Sequence, residues 1–490
     1  MTFGFKRFCV SGAMAVSVLV SSASASWAEN LADTLVAAYK HSGLIEQNRA
    51  VLRAADEGVA QAMADLRPVL SWSAGVQRTF GKARNYQQVG EVPAALPFLP
   101  STPIRDYRTT GFASHEATLR LLASLTLYAG GSNRLKVEAA KETVLATRAD
   151  LLAIEQQVLF RAVGAFMEMR RAYDTVALRQ NGVRVIQQEV RAAKDRFEVG
   201  EVTRTDVALA QARLAQGESA LAAAKGQLVI AQEEFRAAVG RKPGNLQTPK
   251  GAPRLPRSVD AAKKLAVRSH PDMISVQHQV AGAELAIKIA EASLKPRVTL
   301  DGSYGVTTDD DDTNRYTRSG SIGLNATGTI YSGGKIRSAV RQARANRDSA
   351  RGGLHVVRHA VIQNVGNAYV QLDVARASRE AFEAQVRAAQ VAFRGVREEA
   401  KLGARTTLDV LDAEQDLIDA RTNLISAQVD EVVASYAILA SLGQLTAEAL
   451  HLDVPQYDAA EYYNLVKSAP SATSKQGREL DRVLRAMGKE

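Results

Sequence analysis

The chain has 490 residues, 62 Lys and Arg against 52 Asp and Glu (net charge +10), 46% apolar residues, 6% aromatics and one cysteine. That length fits two or three domains or one elongated body, and the alanine-heavy apolar fraction favours closely packed helices over a thick core. The lone Cys9 excludes a disulfide framework, and cations scattered among acidic neighbours, with no stripe of stacking aromatics, argue against nucleic-acid binding.

Residues 1–28 read as an export signal, with Lys6 and Arg7 ahead of an apolar run at 8–20 and small residues at 23–25 or 26–28. Cys9 lies too early to carry an N-terminal lipid anchor. Beyond residue 28 no run of 18 apolar residues occurs, so no conventional transmembrane helix is expected.

The remainder repeats itself once. Tyr128, Gly130 and Gly131 recur as Tyr331, Gly333 and Gly334, Gly200 as Gly403, Thr203 as Thr406, Asp206 as Asp409 and Gly240 as Gly443, all at an offset of 203. Pro68 matches Pro296 at an offset of 228, which puts about 25 extra residues in the first copy. The expected organisation is a first repeat at 29–240, a linker at 241–258, a second repeat at 259–443, and an equatorial segment with a flexible tail at 444–490.

Each repeat opens with a helical pattern, at 30–66 and 259–294, stopped by Pro68 or Pro296. Hairpins follow at 69–128 and 297–331. Leu70, Trp72, Ala74 and Val76 alternate with Ser71, Ser73, Gly75 and Gln77, and Leu119, Leu121, Ala123 and Leu125 oppose Thr118, Arg120, Ser124 and Thr126, with Leu122 the exception. In the second copy Leu300, Tyr304, Ile322 and Leu324 face away from Asp301, Ser303, Ser321 and Asn325. Strands of about ten residues with one apolar face suit an outer-membrane barrel wall, or the half-buried hairpin of a soluble domain. Four strands cannot close a barrel, so a membrane placement requires several copies to pool their strands. The extra residues, near 81–107 with Pro93, Pro97, Pro100 and Pro103, are expected to form a long external loop.

Proline-free helical stretches at 132–199 and 335–402 predict rods of roughly 100 Å each. Return helices at 206–240 and 409–443 follow Gly200 and Gly403, which read as left-handed caps ending the rods. Asp409 and Asp412, three apart at a helix start, can project from one face. In an oligomer they would form stacked carboxylate rings favouring cations; alternatively they complement the helix dipole, and Thr406 with Asp409 fits a capping box. His355 and His359 have metal-ligand spacing but no evident third ligand, and Asp309 to Asp312 reads as a solvated hairpin tip. No catalytic constellation, metal site or cofactor is expected.

The leader, the duplicated unit, the hairpins and rods, the stretch from Lys401 to Leu424 and the Tyr-x-Gly-Gly segments together resemble the TolC family of outer-membrane channels across about residues 29–453. The resemblance implies a mainly helical mixed fold. Long antiparallel coiled-coil helices form an α-barrel tunnel through the periplasm, and each chain contributes four β-strands to a shared, twelve-stranded transmembrane β-barrel in outer-membrane lipid. It further implies a homotrimer acting as the exit duct for a periplasmic adaptor and an inner-membrane pump of ABC or RND type. In the same way, Arg405 would latch to Thr205 and Asp206 of the other repeat and hold the tip shut. Where many members have a proline two residues before the Tyr-x-Gly-Gly aromatic, this chain has Thr126 and Thr329, and a tyrosine that helps close the tip in some members falls at Ala400. The competing reading is a soluble periplasmic coiled-coil adaptor or scaffold.

Overall fold

The computed structural model describes residues 28–98, 100–249, 253–309, 316–471 and 474–486. The export signal and Asp310, Asp311, Asp312, Thr313 and Asn314 of the second hairpin tip therefore lie outside the described residues.

A two-residue strand β1 (Ala28–Glu29) precedes helices α1 (Leu31–His41) and α2 (Gly43–Ala64). Strands β2 (Val69–Val92) and β3 (Thr102–Ala129) lead into the rod α3 (Ser132–Glu198) and the return helix α4 (Arg204–Val239). The linker carries β4 (Asn245–Leu246), which pairs in parallel with β1. The order then repeats as α5 (Val259–Ser269), α6 (Pro271–Ala292), β5 (Arg297–Asp309), β6 (Tyr316–Thr327), α7 (Lys335–Lys401) and α8 (Thr407–Ser441). Two short helices, α9 (Ala459–Val466) and α10 (Lys475–Ala486), close the described chain.

Both rods are 67 residues long and start directly after the glycine pairs that end the sheet. The helix expected ahead of each hairpin is broken in two. Ser42 is extended (ψ 105°), ends α1 and caps α2 by accepting from Ile45 N–H at 3.3 Å. His270 is extended as well, and Pro271 supplies the first residue of α6, where its missing N–H costs no hydrogen bond. The return helices press on these breaks. A Cβ on Gly240 (φ 84°) would lie 2.1 Å from the His41 ring, and one on Gly443 (φ 77°) would lie 2.9 Å from His270 Cα. Only glycine fits both the left-handed backbone and the close approach.

Rod α3 packs against α2, α4, α6 and α8, and rod α7 against α5, α6 and α8, so α6 lies between the two rods. His278 Nδ1 of α6 sits 2.7 Å from Glu142 Oε2 of α3. The main core surrounds Phe166, Phe235 and Leu159, all fully buried, and a second gathers Val365, Leu372, Ile438 and Leu442. Helix α8 is apolar and long enough to cross a bilayer by composition, but Val429, Ile438 and Leu439 are buried in these cores.

The four long strands form one antiparallel sheet in the order β2-β3-β5-β6. Its register carries the alternating faces straight across: Trp72 opposes Leu121, Leu121 opposes Tyr304, and Tyr304 opposes Gly320. The polar row Ser71, Leu122, Ser303 and Ser321 lies on the other side. On that polar side Asp301 accepts hydrogen bonds from Ser124, Thr299 and Asn325 at 2.7 to 2.8 Å. Leu70 (81%), Trp72 (72%) and Ile322 (86%) are exposed on the apolar face, an arrangement that water does not favour.

The expected loop at 81–107 is corrected. The extra residues continue β2 and β3 as a paired ribbon, from Arg78 with His115 out to Val92 with Thr102, with one bulge between Gln88 and Gly90. No proline falls between Val69 and Val92, so β2 can supply its ladder N–H groups throughout and the segment keeps pairing. Pro93, Pro97 and Pro100 fall in the connection, and Pro103 sits at the end of the ladder.

Candidate functional site: the helical tip

The helices turn back at 199–203 and 402–406, the end of the molecule opposite the sheet. Both rods finish in the same way. Gly200 N–H donates to Phe197 O at 3.0 Å and Glu201 N–H to Arg196 O at 2.9 Å; Gly403 N–H donates to Ala400 O at 3.2 Å and Ala404 N–H to Glu399 O at 2.9 Å. Gly200 (φ 82°) and Gly403 (φ 79°) occupy the left-handed position that this termination requires.

The return helices then start on matching capping boxes. Asp206 N–H donates to Thr203 Oγ1 at 3.3 Å while Thr203 N–H and Oγ1–H donate to Asp206 Oδ2 at 2.9 and 2.8 Å. Thr406 and Asp409 repeat the arrangement at 3.2, 2.9 and 2.9 Å. Hydrogen bonds from the threonine backbone and hydroxyl hold the Asp206 and Asp409 carboxyls below the usual range, so both stay ionised.

Arg405 and Asp412 have partners within the chain. Arg405 Nε donates to Glu399 Oε2 at 2.9 Å, on its own helical hairpin. That ion pair raises the guanidinium pKa further. Asp412 Oδ1 accepts from Arg213 of α4 in the other repeat, and Arg213 also donates to Gln216 at 3.1 Å. Inside one chain Arg405 pairs with Glu399 and not with Thr205 or Asp206; Arg213 with Asp412 is an ion pair that joins the repeats beside the turns.

Beneath these charges Ile186, Val190 and Ala193 of α3, Ala210 of α4 and Leu411 of α8 form a small apolar core. Ala400 is 5% exposed and is held against this end of the bundle. One turn further, Glu414 is 4% exposed and its Oε2 is buried without a hydrogen-bond partner. Burial first, then Glu189, pushes its pKa up to about 8, while Arg397 pulls the other way. Arg397 Nε lies 3.4 Å from Glu189 Oε1, so Glu414 approaches a pair that is already satisfied.

Sequence reasoning missed Glu414 and Arg213. Leu411, Glu414, Leu417 and Ile418 follow the three-and-four spacing of a buried stripe, and that spacing was a signal for Glu414. The Arg213 contact is set by tertiary packing, and no local pattern marks it. His355 and His359 both lie exposed on α7.

A family model described as "Outer membrane efflux protein" matches residues 35–241 and 263–444. The outer membrane efflux protein BepC of Brucella suis biovar 1 is 36% identical over 463 residues, 94% of this chain and 95% of that one. The outer membrane protein TolC of Vibrio cholerae is 24% identical, covering 87% and 93%. The solved CmeC outer membrane channel of Campylobacter jejuni superposes with a TM-score of 0.71 over 90% of each chain at 15% identity, a likeness of fold.

Proposed function

The chain belongs to the outer membrane efflux protein family, and on that premise we propose that three copies assemble into its working unit. It is an outer-membrane exit duct of an efflux or secretion system, with its helical part in the periplasm and no enzymatic activity of its own. The observation that carries the assembly is the sheet: four strands, a continuous apolar face, and unpaired edges at β2 and β6. Unpaired backbone groups in hydrocarbon cost several kcal/mol each, so β6 of one copy meets β2 of the next. Three copies give twelve strands, enough to enclose an aqueous lumen lined by the Ser71, Ser303 and Ser321 side.

The rods extend this lumen for about 100 Å to the tip, where a periplasmic adaptor and an inner-membrane pump of ABC or RND type deliver cargo. Asp409 and Asp412 stand at the entrance as rings of three, Asp409 with its charge fixed by Thr406. Such rings draw in cations and bind multivalent ones. Closure at rest rests on weak contacts between repeats, Arg213 with Asp412 in one chain and Arg405 toward Thr205 and Asp206 across copies. A partner that engages the tip can exchange these contacts at little cost.

Native mass spectrometry in detergent tests the unit. A mass of three chains that survives dilution supports it, and a detergent-independent single chain returns the soluble-adaptor reading.

A further inference from the structure

The ribbon that extends β2 and β3 has two unlike sides. Among the described residues, pairing between β3 and β5 ends at Glu116 with Asp309, and from Arg78 and His115 outward the described ladder joins β2 to β3. From Arg78 to Val92 the ribbon runs about 15 residues, which carries it roughly 50 Å past the four-stranded sheet at about 3.3 Å per residue. Alternation puts Arg78, Phe80, Lys82, Arg84, Tyr86 and Gln88 on the same side as Trp72 and Val76, the side that faces lipid lower down. Arg105 and Tyr107 of β3 join that side by pairing with Gln88 and Tyr86.

Four cations therefore begin where the apolar face stops. Among the described residues none of the four forms an ion pair, and no carboxylate shares their side between Arg78 and Gln88. The first is Glu91, past the bulge, which already accepts from Gln88 at 2.9 Å and Ser101 at 2.8 Å. The opposite side differs: Asp106 is paired there with Arg108 at 3.2 Å, and Glu116 lies nearby. The cationic side is also organised. Arg84 lies over the Tyr107 ring at 5.3 Å, Arg105 over Tyr86 at 4.8 Å, and the two rings meet edge to face at 6.2 Å. Stacked guanidinium groups keep their outer N–H donors free in a fixed plane, the geometry that takes phosphate through two bonds.

We propose that this side of the ribbon, Arg78, Lys82, Arg84 and Arg105 with Phe80, Tyr86 and Tyr107, binds phosphate groups carried by lipid headgroups of the outer leaflet. The inference rests on the outer-membrane placement of the sheet. Continuity with the lipid-facing surface selects the source: with acyl chains against Val76 and Trp72, the headgroup phosphates nearest the boundary meet Arg78 and Lys82, and phosphates on sugars that extend outward from the same lipid reach Arg84 and Arg105. Aromatic residues at the boundary fit the same interface, since their rings tolerate both the apolar and the wet side.

The test uses the full-length protein in uncharged detergent, with lipid adducts read by native mass spectrometry. The probe is a diphosphorylated acylated disaccharide lipid that carries a phosphorylated sugar extension, compared with the same lipid after dephosphorylation and with inorganic phosphate as competitor. Each headgroup cation contributes about fivefold in affinity, so K82Q, R84Q and R105Q together should weaken lipid binding on the order of a hundredfold. The set R84K and R105K keeps the charge and loses the fixed planar donors, so its binding should fall between wild type and the triple glutamine variant, and R108Q on the opposite side should leave binding unchanged. Inorganic phosphate at millimolar concentration should not displace the lipid. Equal binding by the triple glutamine variant, equal binding of the dephosphorylated lipid, or full displacement by inorganic phosphate overturns the proposal. An unchanged oligomer mass in the triple variant separates this failure from failure of the assembly.

Discussion

Arg213 and Asp412 form an ion pair between the return helices of the two repeats, α4 and α8, just above the tip turns. Their side chains are 33% and 51% exposed, so the pair contributes at most about 1 kcal/mol to stability. Its importance is positional. Arg213→Ala should leave thermal unfolding almost unchanged and yet raise the fraction of time that single channels spend conducting in planar bilayers. A large loss of thermal stability with unaltered gating would assign the pair a structural role.

The acidic entrance makes a separate prediction. Asp409→Asn keeps a side-chain oxygen that can accept the Thr406 bonds, so α8 should still start at Thr407. Combined with Asp412→Asn it removes six charges from the entrance of a trimer. Reversal potentials in a salt gradient should show weaker cation preference, and trivalent cations should block less. Unchanged selectivity would leave Asp409 only its capping role and Asp412 only its pair with Arg213.

Glu414 gives the tip a pH dependence whose sign follows from its burial. The folded state holds the proton up to about pH 8 and the unfolded chain releases it near pH 4.5, so the folded state binds the extra proton between these values. Stability is full below pH 4.5, declines as pH rises through the window, and is constant above about 8. The decline is on the order of 5 kcal/mol when converted from the shift. The groups facing Glu414 are Glu189 and Arg397. Glu414→Gln should remove the decline. Amide protection in the first turns of α8, corrected for intrinsic exchange, should then exceed wild type at pH 8.5 and match it near pH 4.5.

Gly240 and Gly443 test the joint inside each repeat where the return helix presses on the broken helix ahead of the hairpin. Alanine at either combines a positive φ with a Cβ forced against His41 or His270, each worth about 1 to 3 kcal/mol. Gly443→Ala should be the harsher change, because it meets backbone at 2.9 Å whereas Gly240 meets a side chain that can turn away. Urea unfolding of the detergent-solubilised protein would rank the two.

Much of this molecule is legible in its residues because local rules govern it. The alternation from Leu70 to Val76 places the sheet faces, the absence of proline gives two rods of 67 residues, and Thr203 and Thr406 mark the starts of the return helices. What escaped depends on distant partners or on competing local signals. The prolines around 93–103 suggested a loop, but no proline interrupts Arg78 to Val92 and the ladder continues there. The helix break at His270 was signalled by Pro271 and overlooked, whereas the break at Ser42 is a cap with a serine that helical patterns also tolerate. Arg213 meets Asp412 only because α4 and α8 pack at the tip, which no spacing within either helix reveals.

The sheet edges offer the most direct test of the assembly. Single cysteines at Ser71, Ser73 or Gly75 of β2, combined in turn with cysteines at Ser319, Ser321 or Gly323 of β6, scan the possible registers on one face. Oxidation in the membrane should link copies through one register only and yield a ladder that stops at three chains. Crosslinks within single chains, or none in any register, would contradict a barrel closed between copies.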